Sequence, residues 1–279
     1  MTLAVGLDVG GTKVLGAVVD VARGMVMREA REATRPDRGG EAVLETCQDL
    51  VRALTVDLSH PIMGVGVGVP EIVDSTGAIR SAVTIDWRRL DVANTLARVA
   101  DGAPVVIDAD VRAAAVAEGR FGSGRGMPWW LYVNAGTGIS AAIVSQDRPV
   151  TGTHGGALVL GAPPVEEVAG GLALAREAGV DRVEDALRTP SGQKAVATAG
   201  AELGRTLAVI VNLVDPAGVV LGGGLGGLDG YRAAAEEALR AHVWNPLHGQ
   251  ITITAAHLGE RAGAIGAACI AADHPERDV

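Results

Sequence analysis

Leu3-Ala4-Val5-Gly6-Leu7-Asp8-Val9-Gly10-Gly11-Thr12-Lys13-Val14-Leu15-Gly16-Ala17-Val18-Val19-Asp20 decides the fold. Two β-branched-rich stretches, Leu3 to Leu7 and Val14 to Val19, flank a Gly-Gly turn, which is the pattern of a β-hairpin. A further strand, Met25 to Arg28, follows a second turn at Ala22-Arg23-Gly24. Polar residues Thr34 to Gly40 then lead into a helix. Val43, Leu44, Cys47, Leu50, Val51 and Leu54 recur there at i, i+3, i+4 spacing. An apolar run from Met63 to Val69, a short helix at Val92 to Val99, a strand at Val105 to Ile107 and an Ala-rich helix at Val111 to Glu118 close the first half.

The second half repeats this order. Trp130 to Val133 and Ile139 to Val144 are strands around Gly136-Thr137-Gly138. Helices are expected at Glu166 to Ala178 and Gln193 to Leu213. After them come a strand at Val219 to Leu221, the run Gly222-Gly223-Gly224 and a helix at Tyr231 to His242. A last strand at Ile251 to Thr254 and a helix at Ala262 to Ala272 finish the chain. A hairpin-first unit with αβα additions, occurring twice, predicts two related α/β lobes facing one another.

Bulk composition narrows the function. The 279 residues carry 24 basic and 33 acidic side chains, a net charge of −9, with no basic arm or stripe, which argues against a nucleic-acid surface. With 48% hydrophobic residues but only four Trp, two Tyr and one Phe, the core is built from Ala, Val, Leu and Ile. Two cysteines, Cys47 and Cys269, offer neither a disulfide framework nor metal-type spacing. The N-terminus reads straight into a strand, and no apolar run approaches the roughly 18–20 residues of a membrane span. A cytoplasmic protein without membrane association is expected.

Several residues carry chemistry. In Asp8-Val9-Gly10-Gly11-Thr12-Lys13, the paired glycines let backbone N–H groups approach an anion, Thr12 adds a hydroxyl and Lys13 a counter-charge. Asp8 is placed to hold Mg²⁺, directly or through water. An ordinary Gly-Gly hairpin is the plain alternative. Gly136, Thr137 and Gly138 stand at the equivalent place in the second half, and two such hairpins suit a polyphosphate gripped from both sides. Gly222, Gly223 and Gly224 supply flat backbone on which a purine can lie.

Taken in order, Asp8 to Lys13, Gly64 to Pro70, Pro104 to Glu118, Gly136 to Gly138, Asn212 to Gly224 and the closing Gly263-Ala264-Ile265-Gly266-Ala267-Ala268 resemble the ROK family (repressors, open reading frames and sugar kinases). That resemblance implies the two-lobed actin-like ATPase fold, ribonuclease H-like, built from duplicated βββαβαβα units. It implies a small lobe at residues 1–108, with a C-terminal helix at about 262–279 packing back on it, and a large lobe at 109–261. It also implies ATP and Mg²⁺ as cofactors, a small-molecule acceptor bound in a cleft between the lobes, and a homodimer.

The family's catalytic stretch reads Pro, six residues on Asp, eight further on Glu. Here Pro104, Asp110 and Glu118 keep that spacing, so Asp110 rather than Asp108 aligns with the general base. At a helix mouth, backbone N–H groups favour its ionised form; Asp110 as a mere N-cap is the alternative. The Asn residues flanking the family's Asp, which hold sugar hydroxyls, are Ala109 and Arg112 here. Arg112 is therefore either an acceptor or phosphate contact or a solvated helix residue. The family's Glu-x-Gly-His element falls on Val159-Leu160-Gly161-Ala162, and its Cys-rich zinc loop is deleted, so no zinc is expected. Glu166 matches the family's Glu after that loop, and the Asn before the small-lobe Trp falls on Val83 or Thr84 ahead of Trp87. Glu166, Thr84, Arg112 and His154 are the acceptor-side candidates.

Phosphate hairpins and base survive while most sugar-selecting groups do not. This pattern implies an ATP-dependent phosphotransferase acting on a hydroxyl of a sugar or sugar-like molecule, C7-cyclitols included. A non-catalytic nucleotide- or ligand-binding protein of the same family is the alternative.

Overall fold

The computed structural model describes residues 1–151, 164–180 and 183–274. Among these, two compact units separate, each with its own apolar core. Among the described residues, the first takes in Met1–Gly122, 148–151 and the chain from Glu260; the second takes in Ser123–Asp147 and 164–259.

In the first unit β1 (Leu3–Val9) and β2 (Lys13–Asp20) form the predicted hairpin, pairing Val9 with Val14, and β3 (Met25–Ala33) continues it. Helix α1 (Gly40–Thr55) buries the whole predicted stripe from Val43 to Leu54 against this sheet. Strand β4 (Val65–Val69) adds parallel to β1. After α2 (Val92–Val99), β5 (Val105–Ala109) adds parallel to β4 and gives the order β3-β2-β1-β4-β5. Asp8, Gly68 and Asp108 therefore stand side by side where the three parallel strands end. Ligands of open α/β sheets bind at such carboxyl ends.

Helix α3 (Asp110–Phe121) follows β5 without a loop. In the second unit β6 (Trp129–Ala135) and β7 (Ile139–Ser145) form the second hairpin; the two-residue β8 (Arg148–Pro149) is the edge strand of their sheet but is grouped with the first unit. Next come α4 (Glu166–Ala169), α5 (Gly171–Ala178), α6 (Val183–Ala186) and α7 (Pro190–Val214). Strand β9 (Val219–Gly222) joins β6 in parallel; α8 (Gly223–Gly226) and α9 (Asp229–His242) lead to β10 (Ile253–Ala255), parallel to β9. The sheet order β10-β9-β6-β7-β8 repeats the first with each strand in the same role.

Helix α10 (Ala262–Asp273) returns to the first unit and packs on β1, β4 and α3. Its glycines permit this. A Cβ at Gly266 would fall 1.7 Å from the carbonyl oxygen of Ala113, and one at Gly263 would fall 2.4 Å from Asp8 Cγ. This crossing holds α3 in the first compact unit, which runs to Gly122.

Helix α7 is the one described helix long and apolar enough to cross a membrane by length and composition. Its Leu203, Leu207 and Val211 are buried in the second core, against α9 among others.

Two expectations need correcting. The single helix expected from Glu166 to Ala178 is broken at Gly170, whose extended backbone separates α4 from α5. The break lets the unpaired N–H groups of Gly171 and Leu172 donate to Gly136 O (2.8 Å) and Thr137 O (3.2 Å). The run Gly222 to Gly224 is not flat backbone throughout, because a one-turn helix begins at Gly223.

Candidate active site

The first hairpin closes with Gly10 N–H donating to Lys13 O at 2.9 Å, leaving Gly11 and Thr12 exposed at its tip. Thr34 ties it down, its hydroxyl donating to Gly10 O at 2.6 Å. Lys13 is not a free counter-charge. Its ammonium meets Glu260 at 2.5 Å, and Arg31 reaches the other oxygen of the same carboxylate at 2.7 Å. Glu260 is consequently drawn down to about 2 by hydrogen bonds from Lys13 and Arg31.

Asp8 ends β1 immediately before this turn, and burial pushes its carboxyl up to about 6 despite the nearby Lys13. Asp110 opens α3 next to Gly68, where a Cβ would lie 3.2 Å from the Asp110 Cα. Its carboxyl rises to about 7, first through burial and then through the negative charge of Asp8, with Glu71 adding to it. The N–H of Val111 donates to Asp110 Oδ1 at 2.6 Å and pulls the other way. Contrary to the expectation that helix N–H groups hold Asp110 ionised, desolvation outweighs them. Nor is Asp110 the N-cap, since Ala109 occupies that position without a side-chain cap. Asp8 and Asp110 both keep partly accessible surface.

Arg112 is neither solvated nor open to a ligand. It is 2% exposed, donates from Nε to Asp108 Oδ1 at 2.6 Å, and donates from Nη2 to Val73 O at 2.7 Å. Asp108 is thereby engaged as its ion-pair partner. Thr84 is exposed beside the hairpin, its methyl group 3.2 Å from where a Gly11 Cβ would stand.

In the second unit Gly136 N–H donates to Gly138 O at 3.0 Å, closing the second hairpin with Thr137 and Gly138 exposed. Parallel pairing sets Asn134 opposite Gly222. Gly223 follows in left-handed backbone (φ 78°), with a Cβ there only 2.3 Å from Ala135 O. Gly224 faces open space. Hairpin and triple glycine thus converge at the end of β6. The exposed Glu166 belongs with them, its Oε2 3.0 Å from the Cβ position of Gly138. His154 lies outside the described residues.

Sequence reading missed Glu71. Buried at 3% exposure, it accepts N–H bonds from Thr84 (3.2 Å) and Ile85 (2.8 Å) on Oε1 and from the Trp87 indole (2.7 Å) on Oε2. Desolvation still leaves its pKa raised. Its one signal is a carboxylate directly after Pro70 at a strand end, and nothing in the spacing points to Trp87.

The ROK family model matches residues 4–170 and 165–274. This chain belongs to the ROK family. A glucokinase of Streptomyces coelicolor is 29% identical over 97% of this chain and 98% of its own. A bifunctional enzyme NanE/NanK of Brucella suis is 31% identical over 96% of this chain, which spans 53% of that enzyme. Among solved structures, the ROK glucokinase of Streptomyces griseus in complex with glucose and AMPPNP superposes with a TM-score of 0.85, at 26% identity, covering 96% of this chain and 98% of that one. The duplicated sheets are accordingly those of the actin-like ATPase fold shared by ROK sugar kinases.

Proposed function

We propose that this chain transfers the γ-phosphoryl group of ATP to a hydroxyl of a sugar or sugar-like acceptor. The observation that carries the reading is Asp110, a partly accessible carboxylate at a helix mouth, with Asp8 and the first glycine hairpin beside it. In the reaction the acceptor oxygen bonds to γ-phosphorus while its proton passes to the Asp110 carboxylate. The bond to the β–γ bridging oxygen breaks, and ADP leaves with that oxygen. A base with a pKa near 7 suits the operating pH of such a step. Most of the acceleration comes from alignment and from charge stabilisation of the phosphoryl group.

The donor set fits a hard cation. Asp8 is a desolvated but partly accessible carboxylate whose charged neighbours include Asp110, and no group of three His, Cys, Asp or Glu among the described residues forms a cage of its own. Asp8 would therefore hold Mg²⁺ together with phosphate and water oxygens, and the cation would neutralise phosphate charge. With Gly10 and Gly136 engaged in closing the hairpins, the exposed Gly11 and Thr12 in the first unit and Thr137 and Gly138 in the second are the residues whose backbone N–H groups would serve phosphates. Gly224, with open space around its Cβ position, leaves room for the adenosine. The similarity to glucokinases and to NanE/NanK supports a carbohydrate acceptor, and the replacements at Ala109 and Arg112 support one that differs from glucose. We place the protein in the cytoplasm as a homodimer.

A coupled assay of ADP formation across hexoses, amino sugars and cyclitols tests the proposal. Acceptor-dependent ADP release is expected, and Asp110→Asn should lose at least ~10³-fold in kcat with ATP affinity unchanged. Ligand-induced stabilisation without turnover for any acceptor would instead establish the non-catalytic binder.

A further inference from the structure

Between β4 and α2 the chain makes an excursion, residues 71–87, many of whose polar groups are tied within it. Ile72 N–H donates to Ser81 Oγ at 2.9 Å, and Val73 bridges Ile79. Asp74 holds its own turn through Thr76, Ala78 and Arg80. Two buried side chains control it. Glu71 gathers Thr84, Ile85 and Trp87 at the far end, while Arg112 reaches from the first turn of α3 to Val73 O. The far end lies against Gly11 through Thr84. A series of bonds therefore runs from the helix that carries Asp110 as far as Thr84, whose methyl group stands beside Gly11 at the tip of the first hairpin.

We propose that Arg112 and Glu71 are positioning residues, a two-part brace that sets residues 71–87 against Asp110 and the Gly10–Thr12 turn. The inference rests on the phosphotransferase reading of that site. Simple fold maintenance explains Arg112 poorly. Its Nη1 is buried without a hydrogen-bond partner, and a desolvated cation with an orphaned donor is a costly stitch where an apolar side chain packs more cheaply. What the guanidinium supplies, and an apolar residue cannot, is a forked donor that fixes Asp108 and Val73 O in one geometry. Misplacement by about 1 Å at a phosphoryl-transfer site costs on the order of 10²-fold in rate.

The experiment compares Arg112→Met, Arg112→Lys, Glu71→Gln and the double variant Arg112→Met/Glu71→Gln with wild type. Amide hydrogen exchange and steady-state kinetics are both measured. Arg112 touches neither Thr84 nor Ile85, yet their amides should exchange at least ~10-fold faster in Arg112→Met. Glu71→Gln, which touches them directly, should do the same. With the acceptor that wild type uses, kcat should fall about 10- to 100-fold in each single variant, ATP KM staying within about 2-fold. The double variant should fall no further than the worse single one, because both act on one element. Arg112→Lys keeps the charge without the fork and should behave as Arg112→Met; it also stands in should the Met variant not fold. Unchanged exchange at Thr84 and Ile85 in a folded Arg112 variant overturns the brace, as do losses that multiply in the double variant. A wild type that phosphorylates no acceptor refutes the functional reading instead, and the exchange data still judge the brace.

Discussion

At the scale of residues, the carboxylates set the pH behaviour. Asp110 titrates near 7 in the folded chain against 3.8 for a free side chain, and Asp8 near 6. Between the unfolded and folded values the native state holds the extra protons. The stability they confer is therefore fully present below about pH 4 and lost as pH rises through 6 and 7. Metal-free protein should melt at a lower temperature at pH 8 than at pH 5.5, as scanning calorimetry in EDTA would show. Asp110→Asn removes the group with the higher pKa and should flatten that slope. At pH 8 the variant should melt at least ~3 °C above wild type, one kcal/mol being worth roughly 2–4 °C for a domain of 150–250 residues. A steeper slope in the variant would place the titration elsewhere. Counting from Pro104 was enough to find Asp110 in the sequence. Its protonation state was not legible, because it depends on Asp8 and Glu71, which lie 102 and 39 positions away in the chain.

At the scale of elements, close approach of backbones decides which substitutions matter. Helix α10 meets α3 and β1 through Gly263 and Gly266, where a Cβ would overlap Asp8 Cγ and Ala113 O. Gly266→Ala should destabilise the chain by about 2–4 kcal/mol through forced separation of α10 and α3, since overpacking in a fixed core costs on that order. Gly224→Ala, with open space around its Cβ position, should stay within about 0.5 kcal/mol of wild type. Urea unfolding of both variants checks the pair, and equal stability would mean that α10 can slide. Both hairpins and the α1 stripe were legible because their signals are local, a Gly turn between β-branched runs and a 3.6-residue period. The break at Gly170 was not. Apolar periodicity continues across it, and the cause is a carbonyl of the second hairpin more than thirty residues earlier.

At the scale of the whole molecule, duplication was legible because strand order survives where residues do not: β3-β2-β1-β4-β5 in one sheet, β10-β9-β6-β7-β8 in the other. Each unit contributes one glycine hairpin, and the two are closed by the same kind of backbone bond, Gly10 to Lys13 and Gly136 to Gly138. If both hairpins serve one nucleotide, as the functional proposal requires, binding must stabilise both units together. At a free MgATP concentration 100 times its Kd, mass action adds about 2.7 kcal/mol to the folded state. The whole chain should then melt about 5 °C higher, in a single transition. Thr137→Pro, at the exposed tip of the second hairpin, should abolish most of this shift in both units while sparing the first hairpin. Hydrogen exchange resolved by segment reads the two units separately. MgATP protection confined to residues 1–122, and unaffected by Thr137→Pro, would mean that the second hairpin takes no part in nucleotide binding.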